Sequence, residues 1–143
     1  MSDINKRLHF KDLIDKMNFA YDNEFYFETV WLAYSLIEGR VDSALNKSGG
    51  YTGRRLFGDK LEALIGRVPV DLNLKRMPGY DNVLSDVRAW KDKRNNLMHS
   101  LADSIITGEA LESECLSVAQ NGKDLARKML NYGNDLRNLV SRI

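Results

Sequence analysis

Apolar residues recur along this chain at steps of three and four, the period of a helix face rather than of a strand. Ile4, Leu8, Leu13 or Ile14, Met17 and Tyr21 predict a first helix over about residues 3–21. A second helix should begin near Asp22 or Asn23, either of which can cap it, and run to about Lys47. Its centre, "FYFETVWLAYSLI", is apolar on nearly every side, so it is expected to be buried centrally or shared between the core and a partner. "NKSGGYTG" breaks the chain with three glycines, and Leu56, Phe57, Leu61, Leu64 and Ile65 mark a shorter helix after it. Pro69 and Pro78 bracket the connector "VPVDLNLKRMPGY", with room for one short turn. A fourth helix is predicted over about residues 81–101, and a last one from after "SIITGE" almost to the C-terminus. The pattern predicts an all-α fold, a four- to five-helix up-and-down bundle forming one domain over residues 1–143.

The last helix carries a seam from Leu111 through Cys115, Val118, Gly122, Leu125, Met129, Tyr132, Leu136 and Leu139 to Ile143. Its alternating steps fit a two-stranded coiled coil, but four other helices need partners, which favours packing within a bundle. Gly122 in mid-seam is unfavourable in a helix by about 1 kcal/mol relative to alanine, so a kink or a close helix contact is expected there. The fourth helix has its own stripe: Val83, Val87, Trp90, position 94, Leu97 and Leu101. Position 94 should be apolar, yet it is Arg94. A guanidinium stays charged and is costly to bury without partners. Arg94 therefore lies on a partly open seam, pairs with a buried acid, or faces a second subunit.

Charge changes the picture little. A net +1 excludes a global basic field, so any polyanion must be held by a local patch. The single cysteine, Cys115, excludes an internal disulfide framework and a cysteine-rich zinc site, and suits a reducing compartment. The polar start "MSDINKRLHFKD" shows no secretory signal, and no apolar run is long enough to span a bilayer. A cytoplasmic protein without membrane contact is expected. No acidic cluster or histidine pair suggests a metal, and no cofactor is expected.

The candidate chemistry sits in "WKDKRNNLMHS", residues 90–100. Asn95 and His99 are four apart and share a polar side of the helix with Asp92 and Arg88. Arg94 and His99 are five apart, about 140° around the axis and roughly 7.5 Å along it, so one straight helix does not aim both at one point. A symmetric dimer would let Arg94 of one subunit meet His99 of the other. Two readings stay open on the residues alone. In one, Arg94 stacks on Trp90 and neutralises Glu24, Glu28 or Glu38, while His99 merely sits near a helix end. In the other, Arg94, Asn95 and His99 handle a phosphate, with Arg88, Lys91 and Lys93 steering a nucleic-acid backbone. "KSGGYTGRR" could also cradle a phosphate, but it lacks the Walker pattern.

Arg94-Asn95-Asn96-Leu97-Met98-His99 resembles the R-X4-6-H motif of HEPN domains (higher eukaryotes and prokaryotes nucleotide-binding). "GYTGRRLFGDKLEALI" is similar to the Gly-rich turn and basic helix that precede the motif in many members. The resemblance implies a helical bundle that dimerises with its motifs near the two-fold axis. It also implies a metal-independent endoribonuclease of toxin–antitoxin or phage-defence type, with RNA as substrate and an antitoxin or other regulatory protein as partner. Other members are catalytically inactive RNA-binding, nucleotide-binding or protein-interaction modules. Arg94, Asn95 and His99 take the family's three motif positions. Some members carry a modifiable tyrosine two residues after the histidine; here that position is Leu101. A homodimer through the second and fourth helices is expected, because Phe25 to Ile37 offers more apolar surface than a four-helix core absorbs.

Overall fold

The computed structural model describes residues 3–50, 56–102 and 108–141, with side chains from residue 8 onward. The chain is all-α. Among the described residues five helices follow in order, α1 Asp3–Asp22, α2 Tyr26–Lys47, α3 Phe57–Arg67, α4 Tyr80–Ala102 and α5 Gly108–Val140, with a 3-10 turn at Leu74–Arg76. No strand occurs among the described residues.

The α1–α2 junction differs from expectation. Asp22 and Asn23 do not cap α2; they close α1. The Asn23 side-chain amide donates to the Phe19 carbonyl at 2.8 Å, and the Phe25 N–H returns to the Ala20 carbonyl at 2.8 Å. Glu24, at φ 64°, takes the left-handed position that lets a helix end in this way. The asparagine amide can donate as well as accept, and here the Phe19 carbonyl of α1 claims Asn23, while Asp22 is simply the last residue of α1. α2 starts at Tyr26, where the Phe25 carbonyl accepts both the N–H and the hydroxyl of Thr29.

The chain divides into two compact units, Met1–Leu36 with Trp90–Ala126, and Ile37–Ala89 with Arg127–Ile143. In the first, α1 buries Phe10, Met17 and Ala20, while Leu8 is 60% exposed. Leu8 was expected inside; the buried face is turned toward Phe10 instead. The α2 segment buries Val30, Ala33 and Leu36, and the α5 segment buries Cys115, Val118, Ala119 and Leu125. Trp90 of α4 is their keystone. Its indole N–H donates to the Val118 carbonyl at 2.8 Å. A Cβ on Gly122 would lie 2.6 Å from the Trp90 ring. Gly122 therefore marks a close helix contact: α5 drops one side chain so that an indole can lie against its backbone.

In the second unit α3 buries Phe57, Leu61 and Leu64, and the connector buries Leu74 and Met77. Asp71 anchors the connector by accepting the N–H groups of Asn73 and Leu74, each at 3.0 Å. Tyr132 of α5 donates to the Pro78 carbonyl at 2.6 Å, and its ring lies 5.1 Å from that of Tyr80. Tyr80 is 2% exposed, and burial pushes its phenol well above its ordinary range, with nearby Arg40 only partly opposing the shift. Below pH about 10 the phenol is neutral folded and unfolded, so it adds no pH dependence. Above that pH the unfolded chain ionises and the folded one resists, so stability falls as pH rises. Tyr80→Phe should remove this alkaline loss, seen as a smaller fall in urea midpoint between about pH 8 and pH 11. An unchanged fall would show that Tyr80 does not control it.

Candidate functional site

The motif helix segment lies in the first unit. Its spacing alternates between the core and the surface, as the stripe predicts: Trp90 and Leu97 are buried, Arg94 and Asn95 are half-buried, and Lys93 and His99 are exposed. The side chains that approach Arg94 come from two places. From α2, the Tyr34 ring lies under the guanidinium, 4.2 Å from its centroid. From the next position on α4, Asn95 Oδ1 accepts from Arg94 Nη1 at 3.1 Å. The Tyr34 and Trp90 rings are 6.5 Å apart.

Arg94 thus stacks on Tyr34 and not on Trp90, because the Trp90 indole is committed to Val118 and the Gly122 hollow of α5. Glu24, Glu28 and Glu38 do not neutralise it either; no carboxylate lies within ion-pair distance of Arg94 among the described residues. Its Nε is buried and lacks a hydrogen-bond partner there. This is a cation held by an aromatic face and an amide, with its charge left unpaired.

The other site residues spread out. Asn95 turns its carbonyl oxygen to Arg94, and no hydrogen bond reaches His99 among the described residues. Asn95 therefore positions Arg94 rather than orienting the imidazole. Lys91 pairs with Asp92 at 3.4 Å, and Lys93 stays exposed. Arg88 lies in the second unit and grips Glu62 through two contacts, Nε to Oε1 at 2.6 Å and Nη2 to Oε2 at 2.7 Å. Steering RNA with Arg88 would require releasing Glu62.

The phosphate-cradle reading of "KSGGYTGRR" falls largely on residues 51–55, which lie outside the described residues. At its described edge Arg67 Nε donates to Ser48 Oγ at 2.9 Å, which ties that loop to α3. Cys115 is buried, and burial first, then Glu114 and Glu112, push its thiol up, away from nucleophilic character. Among the described residues no three His, Cys, Asp or Glu side chains are grouped to hold a metal ion, and no helix is long and apolar enough to cross a membrane.

Tyr34 is the residue that sequence reasoning missed. A signal was present: it interrupts the aliphatic stripe Val30, Ile37, Val41 on α2, as Arg94 interrupts that of α4. No protein-family model matches the chain, nor does any of the curated proteins or solved structures compared with it.

Proposed function

We propose that this chain is a HEPN-type RNA-acting domain whose Arg94, Asn95 and His99 form a metal-independent endoribonuclease site. The observation that carries the proposal is Arg94: a half-buried guanidinium, held in place by Tyr34 and Asn95, with no carboxylate to neutralise it. Such a group is ready to bind an anion without first breaking an ion pair. In the proposed reaction the ribose 2′-hydroxyl attacks the adjacent phosphorus and the bond to the 5′-oxygen breaks. This leaves a 2′,3′-cyclic phosphate on one fragment and a 5′-hydroxyl on the other. Arg94 stabilises the charge on the phosphoryl oxygens, and His99 moves the proton. Lys91 and Lys93 add local attraction for the backbone.

Arg94 and His99 point about 140° apart on one helix, so the site is completed by a second copy presenting its His99. The outward side of α4 that carries Lys93, Asn96 and His99 is polar, which suits a contact that also admits RNA. Sedimentation at micromolar concentration should show a dimer; a 16.3 kDa species alone would remove the shared site. An antitoxin or other regulatory protein is a further partner consistent with this class.

A second reading is a non-catalytic RNA-binding or nucleotide-binding module. It is favoured by His99, which no neighbouring side chain orients among the described residues. The deciding assay is incubation of the protein with RNA in EDTA, with the ends of any fragments analysed. Arg94→Leu is the matched control. Leucine completes the apolar stripe and removes the orphaned Nε, and these gains offset the lost cation–π contact, worth about 1–2 kcal/mol for a half-buried guanidinium. Melting temperature should therefore hold or rise. RNA affinity should fall about 10- to 100-fold, the loss of one charge-assisted contact, and cleavage should fall with it. A clear drop in melting temperature with unchanged affinity would make Arg94 structural and end the phosphate reading.

A further inference from the structure

The first unit carries an aromatic face that its own core does not use. Phe19 is 64% exposed, Phe27 42% and Trp31 69%. Phe19 and Leu32 line one shallow groove with Asp15 and Glu28, while Phe27, Trp31 and Leu32 line a second beside it, again with Glu28. Phe27 also lines a third depression, an open cleft of about 670 Å³ bounded by Glu24, Glu109 and Glu112. The face is therefore continuous, apolar at one end and acidic at the other.

Its carboxylates are left without ion pairs among the described residues: Lys123 lies over the Tyr21 ring at 4.4 Å, and Tyr21 in turn meets the Tyr26 ring of the cleft. Lys16, the basic residue of the groove, is bound at 3.0 Å by Asp12 one turn earlier. Asp15, Glu24, Glu28, Glu109 and Glu112 have no ion-pair partner among the described residues. At the cleft, burial first, and then Glu24, Tyr21 and Glu112, push the Tyr26 phenol up. Carboxylates in this number repel RNA and anionic lipid, so neither is a fitting occupant of this face. Exposed aromatic rings beside unpaired carboxylates match the opposite chemistry: apolar side chains on a helical stripe, flanked by lysines and arginines.

We propose that the Phe19–Phe27–Trp31 face, with the Glu24–Glu109–Glu112 cleft beside it, docks a cationic amphipathic helix of a partner protein. Its apolar stripe lies across Trp31, Phe27 and Leu32, and its basic side chains reach Asp15, Glu28 and the cleft. The inference is independent of the ribonuclease chemistry, since Arg94 and His99 take no part in it, but it gives the α2 face to a heterologous partner and leaves the homodimer contact to α4.

Trp31 makes the face directly observable. The chain has two tryptophans, and Trp90 is 2% exposed, so a blue shift of emission on binding reports Trp31. The probes are two synthetic helical peptides of about 18 residues with the same leucine positions, lysine filling the polar positions of one and glutamate those of the other. The lysine peptide should shift the emission and saturate at micromolar concentration; the glutamate peptide should bind at least about tenfold more weakly. The double variant Asp15→Lys/Glu28→Lys, with its helical ellipticity unchanged, should reverse that preference, and Phe27→Ser should weaken both. Equal affinity for the two peptides, or no shift with either, overturns the proposal. So does emission already shifted to the blue in a micromolar homodimer that Trp31→Ala dissociates, which would assign the face to a second copy. A shift on phosphatidylglycerol vesicles without one on the lysine peptide would assign it to a membrane surface.

Discussion

Gly122→Ala should destabilise the protein by about 1–3 kcal/mol, although alanine is the better helix former by about 1 kcal/mol. The added methyl would meet Trp90 Cζ2 at 2.6 Å and Cε2 at 2.9 Å. The indole cannot rotate away cheaply. It is 2% exposed, and its N–H is tied to the Val118 carbonyl at 2.8 Å. Relief requires either α5 to move off α4 or the ring to leave its rotamer, and both give up packing around Cys115, Val118 and Leu125. Trp90→Ala alone should cost about 3–5 kcal/mol through the cavity it leaves. In that background the hollow is empty, so adding Gly122→Ala should become neutral or favourable as helix propensity takes over. The sign reversal is the discriminating result, read from urea midpoints of the four proteins in the cycle. If Gly122→Ala stabilises both backgrounds alike, the indole and the glycine do not share a packing site.

The pairing of Trp90 with Gly122 was half legible in the sequence. A glycine in the middle of a heptad-like seam predicts a close approach, but nothing local says which side chain fills the space. Arg94 was legible for a similar reason, since a permanent charge in an otherwise apolar stripe demands an explanation wherever the helix packs. Its partner was not. Tyr34 is sixty residues away, and only the rotation of α2 against α4 decides that its ring, rather than that of Trp90, underlies the guanidinium. The capture of Arg88 by Glu62 is likewise a tertiary contact between residues on different helices, invisible to spacing. The α2 start was misplaced because Asp22 and Asn23 both carry N-capping chemistry, yet the asparagine amide can also donate to a carbonyl at the end of the preceding helix, and it does so here. Leu8 was misplaced because a stripe through 13, 14 and 17 extends backwards equally well to 8 or to 10. Element existence follows from periodicity, whereas the facing of a weakly amphipathic terminal helix follows from what it packs against.

His99→Ala should abolish RNA cleavage, a loss of at least about 10²-fold for a group that transfers a proton in the rate-limiting step. RNA affinity should stay nearly unchanged, because the proposed site assigns the phosphate contacts to Arg94 and the flanking lysines rather than to the imidazole. Stability should also be unmoved: His99 is exposed and makes no hydrogen bond among the described residues, so its removal costs the fold nothing. This separates it from Arg94→Leu, which should lower affinity and cleavage together. The shared-site geometry adds a sharper test. If Arg94 of one copy works with His99 of the other, mixing His99→Ala with Arg94→Leu chains restores one intact pairing in each heterodimer, and activity should return to a measurable fraction of wild type. If both residues act within one chain, the same heterodimer has no intact site and the mixture stays inactive. Cleavage by His99→Ala at the wild-type rate would remove the motif from the reaction. Binding without cleavage by the wild type, across structured and single-stranded RNAs, would leave Arg94 as the centre of a recognition module.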